Sequence, residues 1–282
     1  MPELPEVESA RVGLDRVARN KQIQAIEVYW PNLISTNLSI DEWQKTLIDQ
    51  TIHQVSRRGK YLVFELDTHL LVSHLRMEGK YFYFLKEDIP QEKAKHTHVI
   101  FKFTNGSQLH YHDVRKFGRF ELTSYKDQAA FFNSKKLGPE PTEEAFDLTE
   151  FSKALQKKSR AIKTVLLSQE QVVGLGNIYV DEVLFDSGIY PERPANSLTE
   201  KEIALLRTNI IQTIERATGL GGSTIRTYKN TLGEAGRYQD YLQVYGKQGT
   251  PCPNCGTTIE KIKVHGRGTH YCPVCQPREG NR

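Results

Sequence analysis

Apolar residues recur at Val7, Ala10, Leu14, Val17 and Ala18. That is close to the spacing that turns one helical face toward a core, and it predicts a helix over 5–19 with Pro5 in its first turn. From 23 to 123 the texture changes. IQAIEVY, YLVFEL, LLVSHL, KYFYFL, THVIFKF and RFELT are rich in β-branched and aromatic residues, with turn residues between them. Short strands so closely spaced predict an antiparallel β-sandwich, interrupted by one short helix, DEWQKTLID. The strand pattern stops in KKLGPEPTEE, where Gly138, Pro139 and Pro141 suggest a linker. Beyond it, TEFSKALQKK, AIKTVLLSQ, NIYVDEVLFDSG and SLTEKEIALLRTNIIQTIERATG carry helical spacing. Residues 220–239, rich in Gly, Thr and Asn, show no period and read as a long functional loop. The expected fold is α+β and multidomain: an N-terminal β-sandwich with its helix over 1–134, a linker at 135–145, a helical domain at 146–246 and a cysteine module at 247–282.

An apolar content of 38% over 282 residues is enough for two ordinary cores. No apolar run is long enough to span a membrane. MPELPEVESARVGL places three glutamates where a signal peptide needs lysines and then an apolar stretch, so a soluble cytoplasmic protein is expected. The net charge of +4 is modest but localised: from 247 onward six basic residues face two acidic ones, which accounts for the whole excess. A basic patch on one small module suits a polyanion, and a solvated tail is the plainer alternative.

All four cysteines fall in Cys252-Pro-Asn-Cys255 and Cys272-Pro-Val-Cys275, with 16 residues between the pairs. Two such knuckles can supply four thiolates to one tetrahedral Zn2+. Disulfides are disfavoured without a secretion signal. Four thiolates leave no open position for water, so the zinc would be structural and the module would bind rather than catalyse. The intervening EKIKVHGRGTHY presents Lys261, Lys263, His265 and Arg267, and the glycines flanking Arg267 allow close approach to a phosphate.

Pro2-Glu3-Leu4-Pro5-Glu6 reads first as a helix start, with acidic residues, Glu8 included, at the positive end. Yet removal of Met1 would expose Pro2 as a free secondary amine. Here the chain resembles the formamidopyrimidine-DNA glycosylase family. The resemblance rests on PELPEVE at the start, SRRGKYL (56–62), SHLRMEGKY (73–81), DVRKFG (113–118), LGPEP (137–141), GLGNIYVDEVLF (174–185), GGSTIRTY (221–228) and the HGRGTHYCPVCQ ending. It implies a β-sandwich followed by a helix-two-turns-helix domain and a zinc ribbon. It also implies a bacterial base-excision repair glycosylase/AP lyase, acting as a monomer on double-stranded DNA that contains oxidised purines (8-oxoguanine, formamidopyrimidines). One structural zinc is expected, with no small-molecule redox cofactor, no membrane partner and nucleoid association through the substrate.

The same resemblance assigns roles. Pro2 attacks C1′ and forms an iminium, Glu3 serves as general acid–base, and Lys60 assists near the lesion. Met77, Arg115 and Phe117 enter the duplex: Met fills the void, the aromatic ring wedges the stack and Arg115 donates to the estranged base. His74, Asn177 and Arg267 hold phosphates, although Asn177 read alone is a helix N-cap. Ser223, Thr224, Ile225, Arg226, Thr227 and Tyr228 form a lid over the extruded base. Glu78 and Glu182 belong to the pocket or its support. Two rivals remain: an endonuclease VIII-type enzyme for oxidised pyrimidines, and a zinc-ribbon DNA-binding protein without catalysis. The intact Met77–Arg115–Phe117 set and the long loop favour the purine enzyme over the first; Pro2, Glu3 and Lys60 speak against the second.

Overall fold

Glu3 is extended (φ −95°, ψ −174°), and helix α1 (Leu4–Ala18) starts directly after it, burying Leu4, Val7, Ala10, Leu14 and Ala18. The computed structural model describes residues 2–223 and 235–278. Two units emerge, Met1–Lys135 with Gly221–Gly236 and Lys136–Leu220 with Arg237–Arg282.

In the first unit β1 (Lys21–Val28), β3 (Thr51–Ile52), β7 (Lys80–Phe84), β8 (Thr97–Phe103) and β9 (Gln108–His112) form one sheet in the order β3-β1-β8-β9-β7. The second sheet runs β2 (Ile34–Ser35), β10 (Arg119–Ser124), β6 (His69–His74), β5 (Tyr61–Glu65), β4 (Gln54–Arg58). Neighbours are antiparallel except β2 with β10, which are parallel. The expected α+β class and N-terminal sandwich are therefore present. One core joins Leu14 of α1, Trp43 of α2 (Ile40–Leu47), Ile23, Phe64, Phe101, Tyr111 and Phe120. β5 and β6 are apolar on both faces because Val63, Leu70 and Val72 pack beneath Phe131 and Phe132 of a further helix, α3 (Gln128–Ser134).

The second unit is helical up to its cysteine hairpin. α4 (Leu148–Gln156), α5 (Ile162–Leu167), α6 (Asn177–Asp186) and α7 (Glu200–Gly219) precede the hairpin β11 (Glu260–Val264) and β12 (Arg267–Tyr271). α6 is buried from Ile178 to Phe185, packed among α5, α7 and β12. The proline-rich segment before α4 lies against residues 169–173: Gly138 N–H donates to Gln169 O (2.8 Å), and Val173 N–H to Pro139 O (3.0 Å). A Cβ on Gly138 would meet Glu170 O at 2.6 Å, so only glycine fits that approach. Among the described residues no helix is long and apolar enough to cross a membrane.

Candidate active site

Pro2 is buried and Glu3 is 2% exposed, both at the start of α1. Glu6, one turn along, uses both carboxylate oxygens. Oε2 accepts from Glu3 N–H (2.8 Å) and Oε1 accepts from Ser223 N–H (2.6 Å). Gly222 is left-handed (φ +80°), and a Cβ there would lie 2.5 Å from Glu6 Oε1. The N-terminal backbone and the start of the expected lid therefore share one anchor. Ser223 is buried against it; Thr224, Ile225, Arg226, Thr227 and Tyr228 lie outside the described residues.

Lys60 occupies the two-residue turn between β4 and β5, where Arg58 pairs with Tyr61, and is 6% exposed. Arg57 binds that turn to α1: its Nε is 2.9 Å from Glu8 Oε2 and its guanidinium donates to Gly59 O at 2.8 Å. Glu8 thus does more than favour the helix start.

His74 ends β6 and is buried. Burial, then the positive charges of Arg76, Lys60 and Lys135, push its pKa down to about 3, so the ring is neutral near pH 7. Nδ1 accepts from Arg76 N–H (2.9 Å), which leaves the ring proton on Nε2. Arg76 is left-handed (φ 52°), and half-buried Met77 and Glu78 follow it. Arg115 and Phe117 stand exposed on the turn between β9 and β10, with the guanidinium 4.7 Å from the ring centroid and Phe117 47% exposed. The guanidinium lies over the ring as a cation–π pair. Asp113, fully buried, shapes the turn. Oδ1 accepts from Arg115 N–H (3.0 Å) and Oδ2 from Gly118 N–H (2.8 Å).

In the second unit Gly176, not Asn177, occupies the N-cap position of α6. The Asn177 side chain instead donates to Gly268 O (2.9 Å), and its buried Oδ1 has no hydrogen-bond partner among the described residues. That hairpin is also held by a buried pair that the sequence reading missed. Lys163 Nζ lies 2.6 Å from Asp181 Oδ1 and 2.8 Å from Thr269 Oγ1, while His270 N–H donates to Asp181 Oδ2 at 2.9 Å. Charges inside the apolar runs AIKTVLL and NIYVDEVLF were the available signal. Arg267, exposed at the start of β12, is presented by this tethered hairpin. Glu182 accepts from Gln243, Val244 and Tyr245 N–H (2.8, 3.0 and 2.8 Å), bracing the chain ahead of the ribbon. Burial pushes its pKa up to about 7 against those three donors.

The Sγ atoms of Cys252, Cys255, Cys272 and Cys275 all lie within 4.8 Å of one another. Cys252 and Cys275 are 3.8 Å apart, and Cys255 and Cys272 3.5 Å. A tetrahedron with Zn–S bonds of about 2.3 Å has S···S edges of about 3.8 Å. The donor set fits one structural zinc.

Family models match three consecutive stretches: the formamidopyrimidine-DNA glycosylase N-terminal domain over residues 1–120, the formamidopyrimidine-DNA glycosylase H2TH domain over 137–229, and the zinc finger found in FPG and IleRS over 249–278. The formamidopyrimidine-DNA glycosylase of Enterococcus faecalis is 51% identical over 282 residues, covering 100% of this chain and 99% of the relative. That of Bacillus subtilis is 48% identical over 279 residues, covering 99% and 100%. A Lactococcus lactis FPG point mutant in complex with Fapy-dG-containing DNA superposes with a TM-score of 0.92 at 49% identity, covering 98% of this chain and 100% of that one. The Lactococcus lactis Fpg bound to abasic-site DNA gives 0.91 at 49% identity, with the same coverage. The three matched domains, in this order along the chain, are those of a class of DNA glycosylases. This chain belongs to the formamidopyrimidine-DNA glycosylase family.

Proposed function

We propose that this chain excises oxidised purines from double-stranded DNA as a bifunctional glycosylase/AP lyase. The observation that carries the reading is the buried Pro2–Glu3 pair, tied through Glu6 to the backbone of Ser223. With Met1 removed, Pro2 nitrogen is a secondary amine. Its attack at C1′ forms a C–N bond as the base leaves with the glycosidic electrons. The amine nitrogen loses its proton, Glu3 protonates the ring oxygen, and opening of the C1′–O bond gives an iminium whose fixed positive charge acidifies the 2′ proton. Loss of that proton expels the 3′ phosphate, and a second elimination expels the 5′ phosphate. Lys60 supplies positive charge beside the reacting nucleotide. Neutral His74 offers Nε2–H to a phosphate, and Asn177 and Arg267 contact the backbone. Met77, Arg115 and Phe117 fill and wedge the opened stack, with Ser223 and the loop residues 224–228 over the extruded base. Glu78 belongs to the pocket or its support. The working division is a catalytic sandwich over 1–134, a linker at 135–145, a helix-two-turns-helix domain over 146–246 and a DNA-binding ribbon over 247–282. Binding to chromosomal DNA would place the protein at the nucleoid.

Pro2→Gly tests the nucleophile. It is expected to slow strand cleavage at 8-oxoguanine by on the order of a thousandfold or more while retaining DNA binding. Cleavage at the wild-type rate, or a mature protein of full activity that keeps Met1, would remove Pro2 from the mechanism.

A further inference from the structure

The side chains read as entering the duplex come from two turns far apart in sequence, residues 75–79 and 113–118. One phenol lies between them. Tyr111 of β9 is fully buried, its ring packed edge-on against Tyr81 (centroids 5.1 Å) and Phe120 (4.9 Å). A Cβ built on Gly79 would lie 2.4 Å from Tyr111 Oη, and one on Gly118 only 1.7 Å from it. Both glycines are therefore needed for room, and both turns close on the same oxygen. The first turn is pinned by Gly79 N–H to Leu75 O (2.9 Å). The second is pinned by Asp113, whose two oxygens take the N–H groups of Arg115 and Gly118. Tyr111 Oη lies 3.5 Å from Asp113 Oδ2, so the phenol and the carboxylate meet at the seam. Burial raises the Tyr111 pKa well above its ordinary value, so the hydroxyl keeps its proton as a donor.

We infer that Tyr111 and Asp113 are positioning residues that lock the two turns together, so that Met77 and the Arg115–Phe117 pair enter the duplex as one rigid wedge. The inference rests on the reading of those three residues as the duplex-entering set. Unstacking a base step is unfavourable, and a wedge whose parts must first be ordered loses part of what its contacts return. A preassembled wedge avoids that ordering cost. Neither Tyr111 nor Asp113 needs to touch DNA for this.

Two activities separate the wedge from the chemistry. Cutting at 8-oxoguanine in a duplex requires a nucleotide to leave the stack; β-elimination at an abasic site in a single-stranded oligonucleotide does not. Tyr111→Phe removes only the hydroxyl at the seam. Asp113→Asn keeps volume but sets an amide N–H against one of the two backbone donors. In both variants single-turnover duplex cleavage is expected to fall about tenfold or more, with single-strand abasic cleavage within about twofold of wild type. A 2-aminopurine beside the lesion should unstack more slowly by the same factor. Equal losses in both activities, or loss in neither, overturn the inference; if Asp113→Asn fails to fold, Tyr111→Phe alone decides. Met77→Ala separates the two readings. If it leaves the duplex-to-single-strand ratio unchanged, the duplex-entering assignment itself is wrong. If it lowers the ratio and Tyr111→Phe and Asp113→Asn do not, the lock alone is wrong.

Discussion

Glu6 and His74 each do two things with one buried side chain. Glu6 splits its oxygens between Glu3 N–H and Ser223 N–H, so the residue after the proposed nucleophile and the start of the loop are fixed by the same side chain. His74 gives up Nδ1 to hold the left-handed turn ahead of Met77, which leaves its ring proton on Nε2. Its neutrality links folding to pH. The folded pKa, pushed down to about 3, lies below the ordinary 6.5. As pH falls below 6.5 the unfolded chain takes up a proton that the folded ring refuses. The stability His74 contributes is thus present above pH 6.5 and lost on the way down to pH 3, with a slope of at most about 1.4 kcal/mol per pH unit. Urea unfolding across that range should show a shallower acid loss for His74→Gln than for wild type. Parallel curves would mean that the ring is not held neutral by the fold.

At the scale of elements, the ribbon depends on its metal for a core. Phe185, Val244, Cys252, Ile259 and Cys272 form its small apolar cluster, two of whose members are zinc ligands. Cys252→Ser is expected to lose the zinc, loosen the hairpin that presents Arg267 and weaken duplex binding about tenfold or more. Metal content and DNA titration at fixed salt check this, and full-affinity binding by metal-free protein would contradict it. The cysteine quartet was legible in the sequence because a tetrahedral thiolate site demands two closely spaced pairs. α1 was legible because its burial follows the helical period, and the main strands because they are runs rich in β-branched and aromatic residues between turn residues. α3 was not, since none of its own residues is fully buried and no apolar stripe marks it. The Lys163 tether was hidden for another reason. Its partners lie 18 and 106 positions away, so the charge was visible inside an apolar helix but its destination was not. Tyr111 likewise reads as an ordinary strand aromatic until the fold brings Gly79 and Gly118 against its hydroxyl.

At the scale of the molecule, each unit carries a different part of the work. The first holds Pro2, Glu3 and Glu6 and the exposed Arg115–Phe117 pair; the second holds the tethered ribbon, in the stretch that carries the chain's entire positive excess. Positive charge concentrated on the ribbon favours a polyanionic partner. In the proposed mechanism Pro2 nitrogen becomes covalently joined to C1′ of an oxidised purine nucleotide. Borohydride trapping tests it most directly, on duplexes carrying one 8-oxoguanine opposite cytosine beside duplexes with thymine glycol or no lesion. The expected product is a stable protein–DNA adduct, mapped to Pro2, that forms preferentially with 8-oxoguanine. Trapping mainly on thymine glycol would contradict the purine assignment, and no adduct on any lesion with DNA binding intact would contradict the amine mechanism itself.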